Sequence, residues 1–395
     1  MNKKIKLEYE KYILNTYGRQ DLFISKAKGC YVFDEYNNKY LDFLSGLSVN
    51  SLGHCHPAVV SRIKKEAEIL MHTSNLYYTK NPLNLAKKII ANSYKGRVFF
   101  CNSGTEANEA AIKILHKYGN KKGIKKPEII SFYNSFHGRT LGSLSATAQT
   151  KYQSGFEPLI SSFVYANYND ITDCEKKVNE NTVGVIIELI QAEGGVIEAE
   201  KEFINKVYKI CQEKEIILVI DEVQTGIGKT GKKFCYMHYD IEPDIMTLAK
   251  ALGGGLPIGA AVVKEKYKDV LGPGMHAATF GANSLITGVA ETVLEIIFNK
   301  KFLNEVNKKS EYLKAELKEI GNTTGLISNI RGKGLLIGFD ISINNKQFVV
   351  DCLKNGLIIN AIGEKIIRLS PPLIITEKEL KKGIEIMYKI LRVNK

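Results

Sequence analysis

Lys250 ends the run PDIMTLAK and precedes the glycine-rich ALGGGLPIG. Most lysines of the chain stand among polar residues; this one follows an apolar run. Burial disfavours the charged form of an amine, so its pKa falls, and the neutral amine can then form a Schiff base with a carbonyl compound. A lysine snorkelling from a strand end would carry the same local pattern. Asp221 closes the apolar run EIILVI upstream, and the interval between them has room for one crossover between neighbouring strands. A Schiff-base lysine together with an aspartate on a pyridinium nitrogen is the signature of pyridoxal phosphate chemistry. The carboxylate keeps the ring nitrogen protonated, so the ring can accept carbanion electrons.

Other strand-like runs also end in groups able to bind or react. VFFC is followed by Asn102-Ser103-Gly104-Thr105, IISFY by Asn134-Ser135-Phe136-His137-Gly138-Arg139, and VIIE, with Glu188, by LIQAEGG, with Glu193. In open α/β sheets ligands bind beyond the carboxyl ends of the strands. Five run ends therefore deliver polar groups to one edge. NSGTEANE carries two readings. Ser103 and Glu106 have capping-box spacing. The same segment is an anion cradle, with a glycine for close approach, flanking hydroxyls and the free N–H groups of a helix N-terminus. GHCHP, with His54 and His56, lacks the further ligands and spacing of a zinc site, so no metal is expected. GGGLPIG is not a GxGxxG fingerprint, which argues against a nicotinamide cofactor.

The elements that must position these groups are short apolar runs: Arg97–Cys101, Glu128–Phe132, Val183–Ile187, Glu215–Ile220, Asp244–Leu248 and Ile258–Val263. Helical patterns lie between several of them, such as Thr105–Tyr118 and Glu202–Glu213. The alternation predicts an α/β fold: a large domain with a mostly parallel sheet flanked by helices. From about Asn283 the pattern changes. One long helical pattern spans Ile286–Leu317, then come the strand-like GLLIGFDIS, a helix around Phe348–Asn355, a strand Ile366–Leu369 and a helix from Glu377. These make a smaller α+β domain, with which the N-terminal strands of YVFDEYNNKYLDF are expected to pack. The expected divisions are 1–50, 51–282 and 283–395.

The chain has 395 residues, 55 basic and 42 acidic, for a net charge of +13. Its lysines fall in scattered doublets such as Lys64-Lys65 and Lys232-Lys233, without a tract of like charge, which fits a solvated surface rather than a nucleic-acid footprint. The seven cysteines form no CxxC pair, and reduced cytosolic thiols fit them best. The N-terminal segment lacks the apolar stretch of a secretory signal, and no run of 18 apolar residues suggests a membrane span. A cytoplasmic protein is expected.

GHCHP, HTSNLYYT, NSGTEANE, FHGRT, DEVQTGIGKTG, PDIMTLAKALGGGLPIGA and RGKGLLIG together resemble the class III, ω-amino-acid aminotransferases, and within them the acetylornithine branch. The resemblance runs from about Tyr17 to Leu373. It implies the pyridoxal-phosphate aminotransferase fold and a homodimer with shared active sites. It implies that Lys250 holds the cofactor covalently, Asp221 pairs with the ring nitrogen and Gln224 bonds the ring hydroxyl. Val223 and Phe136 would pack on the two ring faces. Ser103, Gly104 and Thr105 would hold the phosphate, and Thr279 would reach the phosphate in the partner subunit. For substrates it implies Arg139 on a carboxylate, Tyr17 at the mouth, Ala278 at a contact position, and Glu193 with Arg368 as the pair that admits two different substrates.

The implied reaction converts N2-acetylornithine and 2-oxoglutarate to N-acetylglutamate 5-semialdehyde and glutamate, a step of arginine biosynthesis. Ornithine, succinylornithine or 4-aminobutyrate as donor are alternatives on the same scaffold, and a non-catalytic basic binding protein is a reading of another class. The family usually has glycine at Ala192 and Ala282, proline at Leu189 and serine at Ala278. The last departure removes a hydroxyl that contacts substrate in the acetylornithine branch.

Overall fold

The computed structural model describes residues 3–394. Its centre is a seven-stranded sheet. In chain order the strands are β1 (Gly96–Cys101), β2 (Glu128–Phe132), β3 (Phe163–Ala166), β4 (Thr182–Ile187), β5 (Ile217–Asp221), β6 (Ile245–Leu248) and β7 (Gly259–Lys264). Across the sheet they lie in the order β1-β7-β6-β5-β4-β2-β3. β7 runs antiparallel to both its neighbours, while the other pairs are parallel. Six strands therefore end at one edge, and β7 starts there.

β4, β5 and β6 are buried along their whole length. Both faces of the sheet are covered, which is why these strands read as unbroken apolar runs. On one face, Ala111, Ile112 and Leu115 of helix α1 (Gly104–Lys121) share a core with Ile129, Val183, Ile217 and Val219. On the other, Phe203, Ile204 and Val207 of the helix Lys201–Glu213 pack in the core that holds Val185, Leu218 and Ile220. Burying each such side chain contributes roughly 1.5–3 kcal/mol. Truncating Leu115 to alanine would cost about 2–5 kcal/mol, since its site is fully enclosed.

The α/β architecture is the expected one, with particular differences. β3 was not anticipated; its FVYA carries too short a pattern to separate from the loops around it. The pattern Ile286–Leu317 is two helices, α2 (Ser284–Ile297) and α3 (Lys300–Thr324). The break falls at Asn299, whose Oδ1 accepts from the N–H groups of Lys301 (2.9 Å) and Phe302 (3.4 Å). A side chain that satisfies the first free donors of a helix starts a new one there. The tail sheet has strands β8 (Ile327–Lys333), β9 (Leu336–Ile341), β10 (Asn360–Ile362) and β11 (Ile366–Leu369), in the order β8-β9-β11-β10, all antiparallel. β8 was also unanticipated. Helix α4 (Glu377–Val393) starts where expected, with a capping box between Thr376 and Glu379. The N-terminal strand Lys39–Asp42 pairs in parallel with Leu357–Ile358, which ties the first segment to the tail.

Candidate active site

At the sheet edge where the six parallel strands end lies a cavity of about 460 Å³. Ser103, Gly104 and Thr105 reach it from the β1 end, Phe136 and Arg139 from β2, Glu188 and Glu193 from β4, Asp221, Val223 and Gln224 from β5, and Lys250 from β6. Pro257 and Ile258, just before β7, complete the wall. The five run ends marked in the sequence thus converge on one space.

Asp221 is buried at the end of β5 and firmly held. Its Oδ2 accepts from Asn108 Nδ2 and from His137 Nδ1, each at 2.8 Å, and its Oδ1 accepts from the Val223 N–H at 2.9 Å. A carboxylate only accepts, so His137 donates through Nδ1. Oδ1 has one lone pair unused by these bonds, and the residue lines the cavity. That geometry suits a further donor such as a protonated ring nitrogen.

Lys250 has φ 42°, in the left-handed region. A non-glycine residue held there costs on the order of 1–3 kcal/mol, a strain found where function fixes the backbone. Burial lowers the amine to a pKa of about 8, with Glu193 opposing the shift and Arg368 assisting it. The amine is therefore half neutral near pH 8, where an ordinary lysine is almost wholly charged, and the neutral form is the one imine formation requires. Nearby Glu188 accepts from the Phe136 N–H at 2.9 Å. Burial, followed by the neighbouring Asp221 charge, pushes its carboxyl well above the usual range.

The start of α1 carries both features read from NSGTEANE. Ser103 Oγ accepts from the Glu106 N–H at 3.3 Å, so the cap is real. The Glu106 carboxylate, however, turns to the N–H of Asn102 (2.8 Å) rather than that of Ser103. The N–H groups of Gly104 and Thr105, first in the helix, have no partner within it. A Cβ on Gly104 would come within 2.7 Å of Val223 Cγ1. Glycine here lets the cradle and the Val223 wall close on the same ligand. An anion site, a buried carboxylate with a spare lone pair and a neutral-leaning lysine, all on one cavity, fit pyridoxal phosphate.

Arg139 is exposed at the cavity, with its guanidinium 4.1 Å from the Tyr152 ring centroid and 5.4 Å from that of Phe136. Arg368 is buried on β11 and bonds Glu193 Oε1 through Nη1 and Asn360 Oδ1 through Nη2, the latter at 2.8 Å. Burial alone would raise the Glu193 carboxyl, but the Arg368 charge prevails and holds it below the usual range. Four expected residues do not line this cavity: Arg368, which reaches it only through its bond to Glu193, and Tyr17, Ala278 and Thr279. Tyr17 is exposed and faces a separate space beside the N-terminal helix, while Ala278 and Thr279 lie in a segment held by Asn75, whose Nδ2 bonds the Gly281 carbonyl at 2.8 Å.

The sequence reading gave no role to Asn108, His137, Tyr152 or Asn360. Asn108 had a usable signal: a polar residue on the apolar face of α1, between Ala107 and Ala110. The others act through contacts that spacing does not reveal.

A family model described as aminotransferase class-III matches residues 13–391. The chain is 46% identical over 388 residues to the acetylornithine aminotransferase of Caldanaerobacter subterraneus subsp. tengcongensis, with 98% of each chain covered. It superposes on the crystal structure of the ornithine aminotransferase from Toxoplasma gondii ME49 with a TM-score of 0.96 at 29% identity, covering 100% of this chain and 96% of that one. The N-acetylornithine aminotransferase from Stenotrophomonas maltophilia K279a matches with a TM-score of 0.86 at 31% identity, over 99% of each.

Proposed function

The chain belongs to the class-III aminotransferases, enzymes that depend on pyridoxal phosphate, and from that premise we propose that it transfers the terminal amino group of N2-acetylornithine to 2-oxoglutarate. The products are N-acetylglutamate 5-semialdehyde and glutamate, which makes this a step of arginine biosynthesis. The observation that carries the reading is the pair formed by buried Arg368 and half-buried Glu193, both close enough to act on the Lys250 amine. A site that alternates between a donor with one carboxylate and glutamate with two needs a cation that can be covered and uncovered. The choice of acetylornithine over ornithine rests on the 46% identity to a relative of that name.

When bound, pyridoxal phosphate supplies a ring that takes up the electron pair left at the substrate carbon. Lys250 anchors it, and its freed amine carries the proton from the substrate carbon, as base and then as acid. Asp221 fixes the protonated ring nitrogen, oriented by His137 and Asn108. Gln224 bonds the ring hydroxyl, while Val223 and Phe136 hold the ring between them. Ser103, Gly104 and Thr105 bind the phosphate through a hydroxyl and the free N–H groups of α1. Arg139 takes the carboxylate common to both substrates, its plane set by Tyr152. Glu193 covers Arg368 during the donor half-reaction and uncovers it for 2-oxoglutarate.

We further propose a homodimer in which Tyr17, Ala278 and Thr279 serve the partner's site. Their position outside this chain's cavity supports it, as do the exposed apolar side chains of Phe280, next to Thr279, and of Met71, Leu76 and Tyr77, whose segment is hydrogen-bonded to Gly281 and Asn283. The division into 1–50, 51–282 and 283–395 is supported by the pairing of the first segment with the tail. Cytoplasmic location without nucleic-acid or membrane partners fits the scattered lysines and the finding that no described helix is long and apolar enough to cross a membrane.

A panel of amino donors with 2-oxoglutarate tests the substrate. N2-acetylornithine has no α-ammonium to place in a site made cationic by Arg139 and Arg368, whereas free ornithine brings an extra cation that costs free energy unless paired. The expected kcat/KM is at least about tenfold above ornithine and 4-aminobutyrate, or ~1.4 kcal/mol. An equal or better result with ornithine would overturn the substrate and leave the family assignment intact.

A further inference from the structure

We propose that Asn360 is a positioning residue for the second substrate: it holds the Arg368 guanidinium in place when Glu193 leaves it. The inference rests on the reading of Glu193 and Arg368 given above. It begins from an asymmetry between the two partners of Arg368. Glu193 stands in a turn before Gly194 and Gly195, and its side chain is half-buried at the cavity with a bond to Arg368. Asn360 sits on β10 directly opposite Arg368 in the antiparallel ladder. One partner is charged and stands in a turn at the cavity; the other is neutral and set in a strand.

The donor count explains why the neutral partner is needed. Arg368 is buried, and Nη1 serves Glu193 together with a long contact of 3.4 Å to the Ala192 carbonyl. Among the described residues Nε has no partner. Once Glu193 departs, the 2.8 Å bond from Nη2 to Asn360 Oδ1 is the one short contact left to set the plane of the guanidinium. A substrate carboxylate needs that plane fixed to be bound by two parallel N–H groups. An amide suits the position because it orients the cation without neutralising it. A carboxylate there would keep the cation satisfied and repel the incoming substrate.

The test uses the full chain loaded with cofactor and compares the two half-reactions in single turnovers. Glutarate serves as a dicarboxylate probe, its binding measured by titration. Asn360→Ala is expected to weaken glutamate and glutarate about tenfold, the loss of a hydrogen bond to a charged group. The N2-acetylornithine half should change less than about twofold, because Glu193 then holds Arg368. Asn360→Asp, nearly isosteric, is expected to weaken both dicarboxylates further than Asn360→Ala does. Asn360→Ser, which keeps an oxygen acceptor, should recover part of the loss.

Equal slowing of both halves by Asn360→Ala and Asn360→Asp would mean a merely structural role and would overturn the proposal. So would glutarate binding unchanged in both variants. Arg368→Ala separates the two layers of the argument. If it leaves the glutamate half intact, the dual-substrate reading itself fails and this inference falls with it. If it abolishes that half while the Asn360 variants do not, only the role of Asn360 is lost.

Discussion

His137 and Asn108 both deliver a hydrogen bond to the same oxygen of Asp221, each at 2.8 Å, from different elements of the fold. Asn108 reaches it from α1 and His137 from the segment after β2. The carboxylate is thereby locked in rotation, and its other oxygen is turned to the Val223 N–H and the cavity. Orientation, more than the presence of an acid, is what the fold supplies at the end of β5.

Replacing Asp221 by asparagine keeps the shape and removes the charge proposed to partner the ring nitrogen. Turnover is expected to fall by about 10²–10³-fold, the usual effect of deleting one preorganised electrostatic group. Steady-state kcat measures it, with circular dichroism to show that the fold persists. A kcat near wild type would count decisively against the role.

Lys250 should reveal its lowered pKa when the cofactor-free protein meets pyridoxal phosphate. The neutral amine is the reactive form, so capture should accelerate as pH rises and level off above about 8. An inflexion near 10.5 would indicate an ordinary exposed lysine. Borohydride treatment of the loaded protein followed by peptide mapping should tag Lys250, and Lys250→Ala should abolish both the tag and turnover.

Lys229 is fully buried, with Nζ bonded to the Pro371 carbonyl at 3.1 Å. Burial lowers its pKa to about 7, with Asp42 opposing and Lys250 assisting. Between pH 7 and the unfolded value near 10.5 the unfolded chain binds the extra proton, so wild-type stability from this group rises with pH across that window. Below pH 7 its penalty is present in full. The stability of Lys229→Met relative to wild type should therefore fall, by roughly 2 kcal/mol between pH 7 and pH 9. Urea unfolding at the two values checks the sign; a margin that grows with pH would refute it.

Ala282 stands at φ 57°, where the resemblance expected glycine. An alanine in the left-handed region costs roughly 1–2 kcal/mol, partly offset by the greater chain entropy glycine loses on folding. Ala282→Gly should stabilise the protein by about 0.5–1 kcal/mol. Thermal unfolding of the two proteins under one set of conditions decides it, and a lower Tm for the glycine variant would contradict the strain argument.

The fold was legible where burial on both faces leaves an unbroken mark, as in VGVII and ILVI, and where polar groups follow such runs. It was not legible where a single side chain overrides a pattern. The apolar spacing continues through Phe298, and only the capping contact of Asn299 divides α2 from α3. Within the site, Lys250 and Asp221 stood out because each ends an apolar strand. Asn360 did not, because its bond to Arg368 arises only from the register that sets the two opposite each other. Spacing along the chain carries no record of which strands become neighbours.

The placing of β1 at the sheet's edge, with β7 as its one neighbour in the sheet, has a consequence for how the protein is made. A Cβ on Gly259, at the start of β7, would come within 2.1 Å of the Ser103 carbonyl, so the cradle after β1 is closed from behind by β7 itself. Chains are synthesised from the N-terminus, and domains fold as units. The cradle proposed to hold the phosphate therefore leaves the ribosome early and must wait, without its supporting strand, until residue 264 has followed. Lys250 emerges within the same interval. Cofactor capture by a growing chain should accordingly switch on in one step, as β7 docks, rather than build up as each site residue appears.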